Sequence, residues 1–132
     1  VITVAGKSLS LDNIEHGILR PIWHDPRIHY AVNCASLGCP NLQPLAFTAD
    51  NGDKLLDQGS KSYINHARGV SLKNGRLAVS SIYHWFKTDF GGTDRGVIRH
   101  LRQYAEPALA KSLATVESIA SHDYDWRLNK AE

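Results

Sequence analysis

The stretch "VSLKNGRLAVS", residues 70 to 80, constrains the fold more than any other. Asn74-Gly75 is the pair that a two-residue type I′ turn wants, because both central positions need positive φ, and alternating strand-like runs flank it. An antiparallel hairpin is expected here, and the rest of the chain must pack around it. Residues 1 to 9 alternate weakly and read as a short strand or hairpin around Ala5-Gly6. Ser10 is a good N-cap for a helix carrying Ile14, Ile18 and Leu19, which Pro21 is expected to stop because its ring blocks the next turn. Asp25-Pro26-Arg27 reads as a turn, and Ile28 to Asn33 as a buried strand running into a loop that holds both cysteines.

Thr48 can cap a helix with Leu55, Leu56, Tyr63 and Ile64, ended by Gly69. "SSIYHWFKTDF" reads as a short amphipathic helix capped by Ser80 or Ser81. Thr93 or Asp94 starts another, with Val97, Ile98, Leu101 and Tyr104 on one face, and Pro107 opens a third. Val116 to Trp126 returns to strand-like sequence. The mixture predicts an α+β fold, with helices packed against a small, largely antiparallel sheet in a single domain, residues 1–132.

Composition narrows the function classes. A chain of 132 residues buries a core without covalent staples. A formal charge of +2, from 15 scattered Lys and Arg against 13 acidic residues, does not argue for nucleic acid. No apolar run approaches a membrane span and no signal peptide opens the chain. Val1 leads directly into strand-like sequence, as expected of a mature product or of a chain trimmed from something longer.

The two cysteines, in "HYAVNCASLGCP", stand in Cys-x-x-x-x-Cys spacing, unlike zinc ribbons or thioredoxin-like sites. A thiol at a strand end, close to free backbone N–H groups, can have its pKa lowered and act as a nucleophile. The alternative is that Cys34 is a small buried hydrophobe and Cys39 helps close the loop. On an extended strand His29 would point away from Cys34, leaving His24, His84 or His122 to approach only through the fold. "TDFGGTDRG" sets Asp89 and Asp94 around two glycines, and "SHDYDW" sets Asp123 and Asp125 two residues apart. Such oxygen-rich loops can hold calcium, although neither follows the EF-hand pattern. From the residues alone the favoured reading is a helix cap for Asp94 and a buried hydrogen-bond anchor for Asp125, because Asp is a preferred cap and turn residue. Seven histidines lack zinc-ligand spacing, and neither a dinucleotide fingerprint nor a Gly-x-Ser-x-Gly elbow occurs. Tyr83, Trp85, Phe86 and Phe90 read as core or as a pocket wall.

"SLSLDNIEHGILR", "DPRIHYAVNCASLGCPNL", "SSIYHWFKTDFG" and "YDWRLN" resemble, in order, the blocks of the family called domain of unknown function 547. That family domain begins with a helical segment upstream of where this chain starts, so the chain resembles roughly its C-terminal two-thirds. Members have been linked with glutaredoxin-related, thiol-bearing proteins. Similarity to a small metagenomic member implies quorum quenching by calcium-dependent, nucleotide-independent reduction of 3-oxo-acyl homoserine lactones. On that resemblance Cys34 and Cys39 supply two electrons by closing to a disulfide, and an external thiol reductant restores them. His29 or Tyr124 supplies a proton, while Arg27, Asn33, Trp85 and Trp126 hold the acyl lactone. Calcium, at Asp89 and Asp94 or at Asp123 and Asp125, polarises a carbonyl. The alternatives are a thiol hydrolase of an amide, ester or lactone, and a non-enzymatic binding module with an aromatic pocket.

Overall fold

The computed structural model describes residues 1–130. Two small sheets organise the chain. β1 (Ile2–Val4) pairs antiparallel with β2 (Lys7–Leu9) through Ala5 and Gly6, both at positive φ. β3 (Val70–Lys73) pairs antiparallel with β4 (Arg76–Ser80), Lys73 opposite Arg76. Asn74 at φ 51° and Gly75 at φ 74° form the turn between them, as the Asn-Gly pair predicts. β5 (Ser121–Asp123) adds a parallel strand on the free edge of β4, so the sheet order is β3-β4-β5. The α+β expectation holds, with that one parallel neighbour.

Ser10 caps α1 (Leu11–Ile14) in a capping box with Asn13, but Pro21 does not end the helix. A π-helical turn, Glu15–Leu19, follows α1, and Arg20 donates its N–H back five residues to the Glu15 carbonyl. Widening the helix there relieves the clash that a proline ring makes with the preceding turn. Pro21 then sits in the first turn of α2 (Arg20–Trp23), which stops at His24 in the left-handed conformation.

Residues 28–33 are not a strand. Asp25 accepts the Arg27 N–H, and a 3-10 helix runs over Pro26–Tyr30, burying three consecutive residues, Ile28, His29 and Tyr30. A short apolar run cannot distinguish a buried strand from a buried helical turn. The Asp-Pro start tips this one toward helix, through a side-chain cap and a pre-set φ. Thr48 and Asn51 exchange side-chain hydrogen bonds one turn ahead of α3 (Gly52–Ile64), whose N-cap is Asn51.

α4 (Ile82–Trp85), α5 (Asp94–Tyr104), capped by Thr93, and α6 (Pro107–Leu113) begin where their caps and proline predict. Tyr63 and Ile64 of α3, Leu77 of β4, Val97 and Leu101 of α5 and Leu113 of α6 are essentially fully buried in one cluster. Each such side chain contributes roughly 1.5–3 kcal/mol by leaving water. Tyr30 at the centre satisfies its buried phenol against Tyr83 (3.2 Å) and His100 (2.8 Å). Among the described residues, no helix is long and apolar enough to cross a membrane.

Candidate functional site

The cysteine loop is fixed from three sides. Asn33 accepts the Ala35 N–H (2.7 Å) and donates to the Pro40 carbonyl (2.8 Å), closing residues 33–40 on themselves. From the core, the Tyr63 phenol donates to the Gly38 carbonyl at 2.7 Å. From outside, the C-terminal stretch zips along the loop. Gly38 donates to the Asp125 carbonyl (2.9 Å), Leu37 to that of Arg127 (2.8 Å), and Asn129 to that of Ala35 (2.8 Å). A Cβ on Gly38 would stand 3.0 Å from the Asp125 backbone N and O, so this approach requires glycine.

That zipper sets Tyr124 against the thiols. Cys34 and Cys39 are paired as a disulfide with Cα atoms 6.4 Å apart, within the ordinary range for such a bridge. The Tyr124 hydroxyl lies 3.3 Å from Cys34 Sγ and 3.2 Å from Cys39 Sγ. Ser36 Oγ lies 3.3 Å from the first sulfur, 3.4 Å from the second and 3.0 Å from the phenol oxygen. The Cys34 backbone N–H donates to Cys39 Sγ at 3.0 Å. Cys34 is exposed, whereas Cys39 is only 4% exposed.

Both cysteines line a pocket of about 540 Å³, in the range that takes small-molecule ligands. Its walls are mostly apolar. Leu11, Ile14 and Leu19 come from the N-terminal helix, Trp85 and Phe86 from the α4 region, and Trp126 from the C-terminal stretch. Trp85, Tyr124 and Trp126 touch one another with ring centres 4.7–5.4 Å apart. His29 lines the pocket too, with Glu15 and His16.

His29 stacks on Phe86 at 4.3 Å, and its Nε2 lies 2.8 Å from Asp89 Oδ2. Arg20 clamps the same carboxylate through Nε (2.6 Å) and Nη2 (3.1 Å). Burial works to raise the Asp89 carboxyl, but the Arg20 and His29 bonds outweigh it and hold it below its ordinary value. Burial lowers His29 despite the Asp89 bond, so the ring is neutral near pH 7. Bonded to an ionised carboxylate, Nε2 carries the proton, which leaves Nδ1 as the basic nitrogen, 3.9 Å from Glu15.

Of the residues singled out from sequence, Cys34, Cys39, His29, Tyr124, Asn33, Trp85 and Trp126 all line this pocket. The parity argument that set His29 and Cys34 on opposite faces falls with the missing strand. Arg27 does not join them. Its guanidinium is held by Asp25 (2.8 Å), Asp53 (2.8 Å) and Asp57 (2.7 Å), which ties the 3-10 turn to α3. His84 and His122 stack on each other at 4.0 Å, with Ser81 bonded to His122.

The four aspartates do not converge. Asp89 holds Arg20 and His29. Asp94 takes the Ile119 N–H (2.9 Å) and the Lys87 ammonium (2.5 Å), which together lower its pKa. Arg127 bonds Asp125 and pulls that carboxyl down to about 2. Asp123 sits on β5. Among the described residues no three His, Cys, Asp or Glu side chains gather into a metal-holding group. Calcium needs six to eight converging oxygens. Asp89, Asp94 and Asp125 are each bonded to a cationic side chain in this arrangement.

Sequence reasoning missed Ser36, Glu15 and His16, whereas Phe86, read as core or pocket wall, does line the pocket. A hydroxyl two residues after Cys34 was the available signal for Ser36. The others follow only once the N-terminal helix is known to wall the pocket.

No curated protein and no solved structure matches the chain. The blocks "SSIYHWFKTDFG" and "YDWRLN" lie outside the stretch that a known family covers. Residues 1–64, with the N-terminal helix and the whole cysteine loop, match the family described as "Protein of unknown function, DUF547", and over that stretch the chain is similar to it.

Proposed function

We propose that the chain is a dithiol–disulfide oxidoreductase acting on a small ligand with an apolar tail and a polar head. One observation carries the reading: two cysteine sulfurs and a phenol hydroxyl lie within 3.3 Å at one end of an apolar pocket. Closing the dithiol to a disulfide releases two electrons and two protons. A 3-oxo-acyl homoserine lactone, the ligand that the family resemblance implies, has a ketone that would take up both and become an alcohol. Tyr124 is the nearest proton donor to the sulfurs. His29, oriented by Asp89, supplies a second acid–base group in the same pocket. An external thiol would then reopen the disulfide. A Cys34 hydrolase would need a base on its sulfur, but the polar side-chain partners of Cys34 Sγ are Ser36 and Tyr124, not an imidazole. No step is assigned to calcium.

Mass analysis tests this directly. Reduced protein is incubated with a 3-oxo-acyl homoserine lactone, with and without dithiothreitol and with and without millimolar calcium. Without dithiothreitol, one equivalent of ligand should gain two hydrogens while the protein loses two. With it, turnover should continue, and calcium should not alter the yield. A gain of water would make the chain a hydrolase, and unchanged ligand with both thiols retained would leave it a binding module.

A further inference from the structure

We infer that the pair has a fixed polarity. An incoming thiol of low molecular weight attacks Cys34, and Cys39 leaves as a thiolate held by a three-donor cradle. The inference rests on the reading of the two thiols as a redox pair, and adds which sulfur meets the reductant and which groups drive the exchange.

Access separates the sulfurs first. Cys34 is exposed at the pocket, while Cys39 is 4% exposed beneath it, so an outside thiol reaches Cys34. The pocket, about 540 Å³, admits a small molecule and gives a protein-borne thiol little room.

The second separation is electrostatic. Cys39 Sγ faces the Cys34 backbone N–H at 3.0 Å, the Tyr124 hydroxyl at 3.2 Å and the Ser36 hydroxyl at 3.4 Å. Cys34 Sγ has the same two hydroxyls at 3.3 Å and no backbone N–H bonded to it. Neither hydroxyl has a side-chain partner outside this group, so both protons are free to rotate toward whichever sulfur becomes charged. The N–H cannot rotate away. It is fixed on Cys39, and charge-assisted bonds are about twice as strong as neutral ones.

The exchange balances. A thiolate RS⁻ bonds to Cys34 Sγ, the Cys34–Cys39 bond breaks, and its electron pair stays on Cys39 Sγ. A second RS⁻ attacks the sulfur of the mixed disulfide, releasing Cys34 as thiolate and RSSR as product. Two reductant thiols are oxidised and the protein disulfide is reduced. Lowering the leaving thiol's pKa speeds its departure, which is the contribution of Tyr124, Ser36 and the N–H.

Glutathione is the probe. Cys39→Ser should take a mixed disulfide from oxidised glutathione at Cys34, read by intact mass, at least about tenfold faster than Cys34→Ser takes one at Cys39. Tyr124→Phe, which keeps the ring against Trp85 and Trp126, should slow glutathione cleavage of the wild-type disulfide by about tenfold. That is the worth of one hydrogen bond to a charged atom. Ser36→Ala should slow it less, and serves as the second variant should Tyr124→Phe melt early. Equal trapping on both cysteines, faster trapping on Cys39, or wild-type cleavage in both hydroxyl variants overturns the polarity. A wild-type disulfide that glutathione never opens overturns the redox reading beneath it. Normal polarity with an untouched lactone leaves this inference standing and removes only the proposed substrate.

Discussion

Gly38→Ala probes how far the site depends on the C-terminal zipper. The added methyl carbon would stand 3.0 Å from the Asp125 backbone N and O and from the Tyr124 ring. None of these is a flexible chain end, so relief requires the stretch to slide outward from the loop. The bonds at risk are Gly38 N–H to Asp125 and Leu37 N–H to Arg127, at 2.9 and 2.8 Å. Two strained backbone hydrogen bonds and an overpacked contact cost about 2 kcal/mol together. For a chain of this length each kcal/mol moves Tm by roughly 3–5 °C, so Tm should fall by about 6–10 °C. Calorimetry reads that loss, and the rate of disulfide cleavage by glutathione reads the site. Since Tyr124 moves with Asp125, the rate should drop toward that of Tyr124→Phe. A Gly38→Ala protein that melts within a degree of wild type and is cleaved at the wild-type rate would refute the claim that the zipper holds Tyr124 in place.

Stability should fall with acid before the carboxylates titrate. Burial brings His100 down from 6.5 to about 4 and also lowers His29, so the unfolded chain binds protons first; the His100 contribution is whole above about pH 6.5. About 3 kcal/mol from His100 drains away as pH drops through 4, and urea unfolding at pH 7, 5.5 and 4.5 should show the decline; a flat profile would contradict it. Gly75→Val sets a β-branched residue at φ 74° and should cost on the order of 1–3 kcal/mol, shown by a lower urea midpoint, with an unchanged midpoint the opposing result.

What could be read from the sequence followed the range of the signals. Ser10, Asn74-Gly75, Thr93 and Pro107 act within one or two turns of themselves, and each element they mark begins as expected. Pro21 failed because its effect depends on the helix type before it, and a π turn leaves no residue signature in "EHGIL". Ile28–Asn33 failed because three consecutive buried residues satisfy a strand and a tight helical turn equally. Most of the pocket was legible residue by residue, although its geometry was not. Tyr124 was singled out by resemblance, but its partnership with sulfurs 90 and 85 positions away is a tertiary fact. The aspartates needed the structure for a related reason. In sequence, a carboxylate in a glycine-rich loop looks the same whether it is free for a cation or, like Asp89, already holds an arginine.

The strand bond between Ser36 and Leu128 also has a consequence for the order in which the protein is made. Both cysteines leave the ribosome 85 to 90 residues ahead of the phenol that touches them. Until Tyr124 follows, a nascent chain carries two thiols without their hydroxyl partner. That partner reaches the sulfurs only when residues 124–129 close over a loop made well before them.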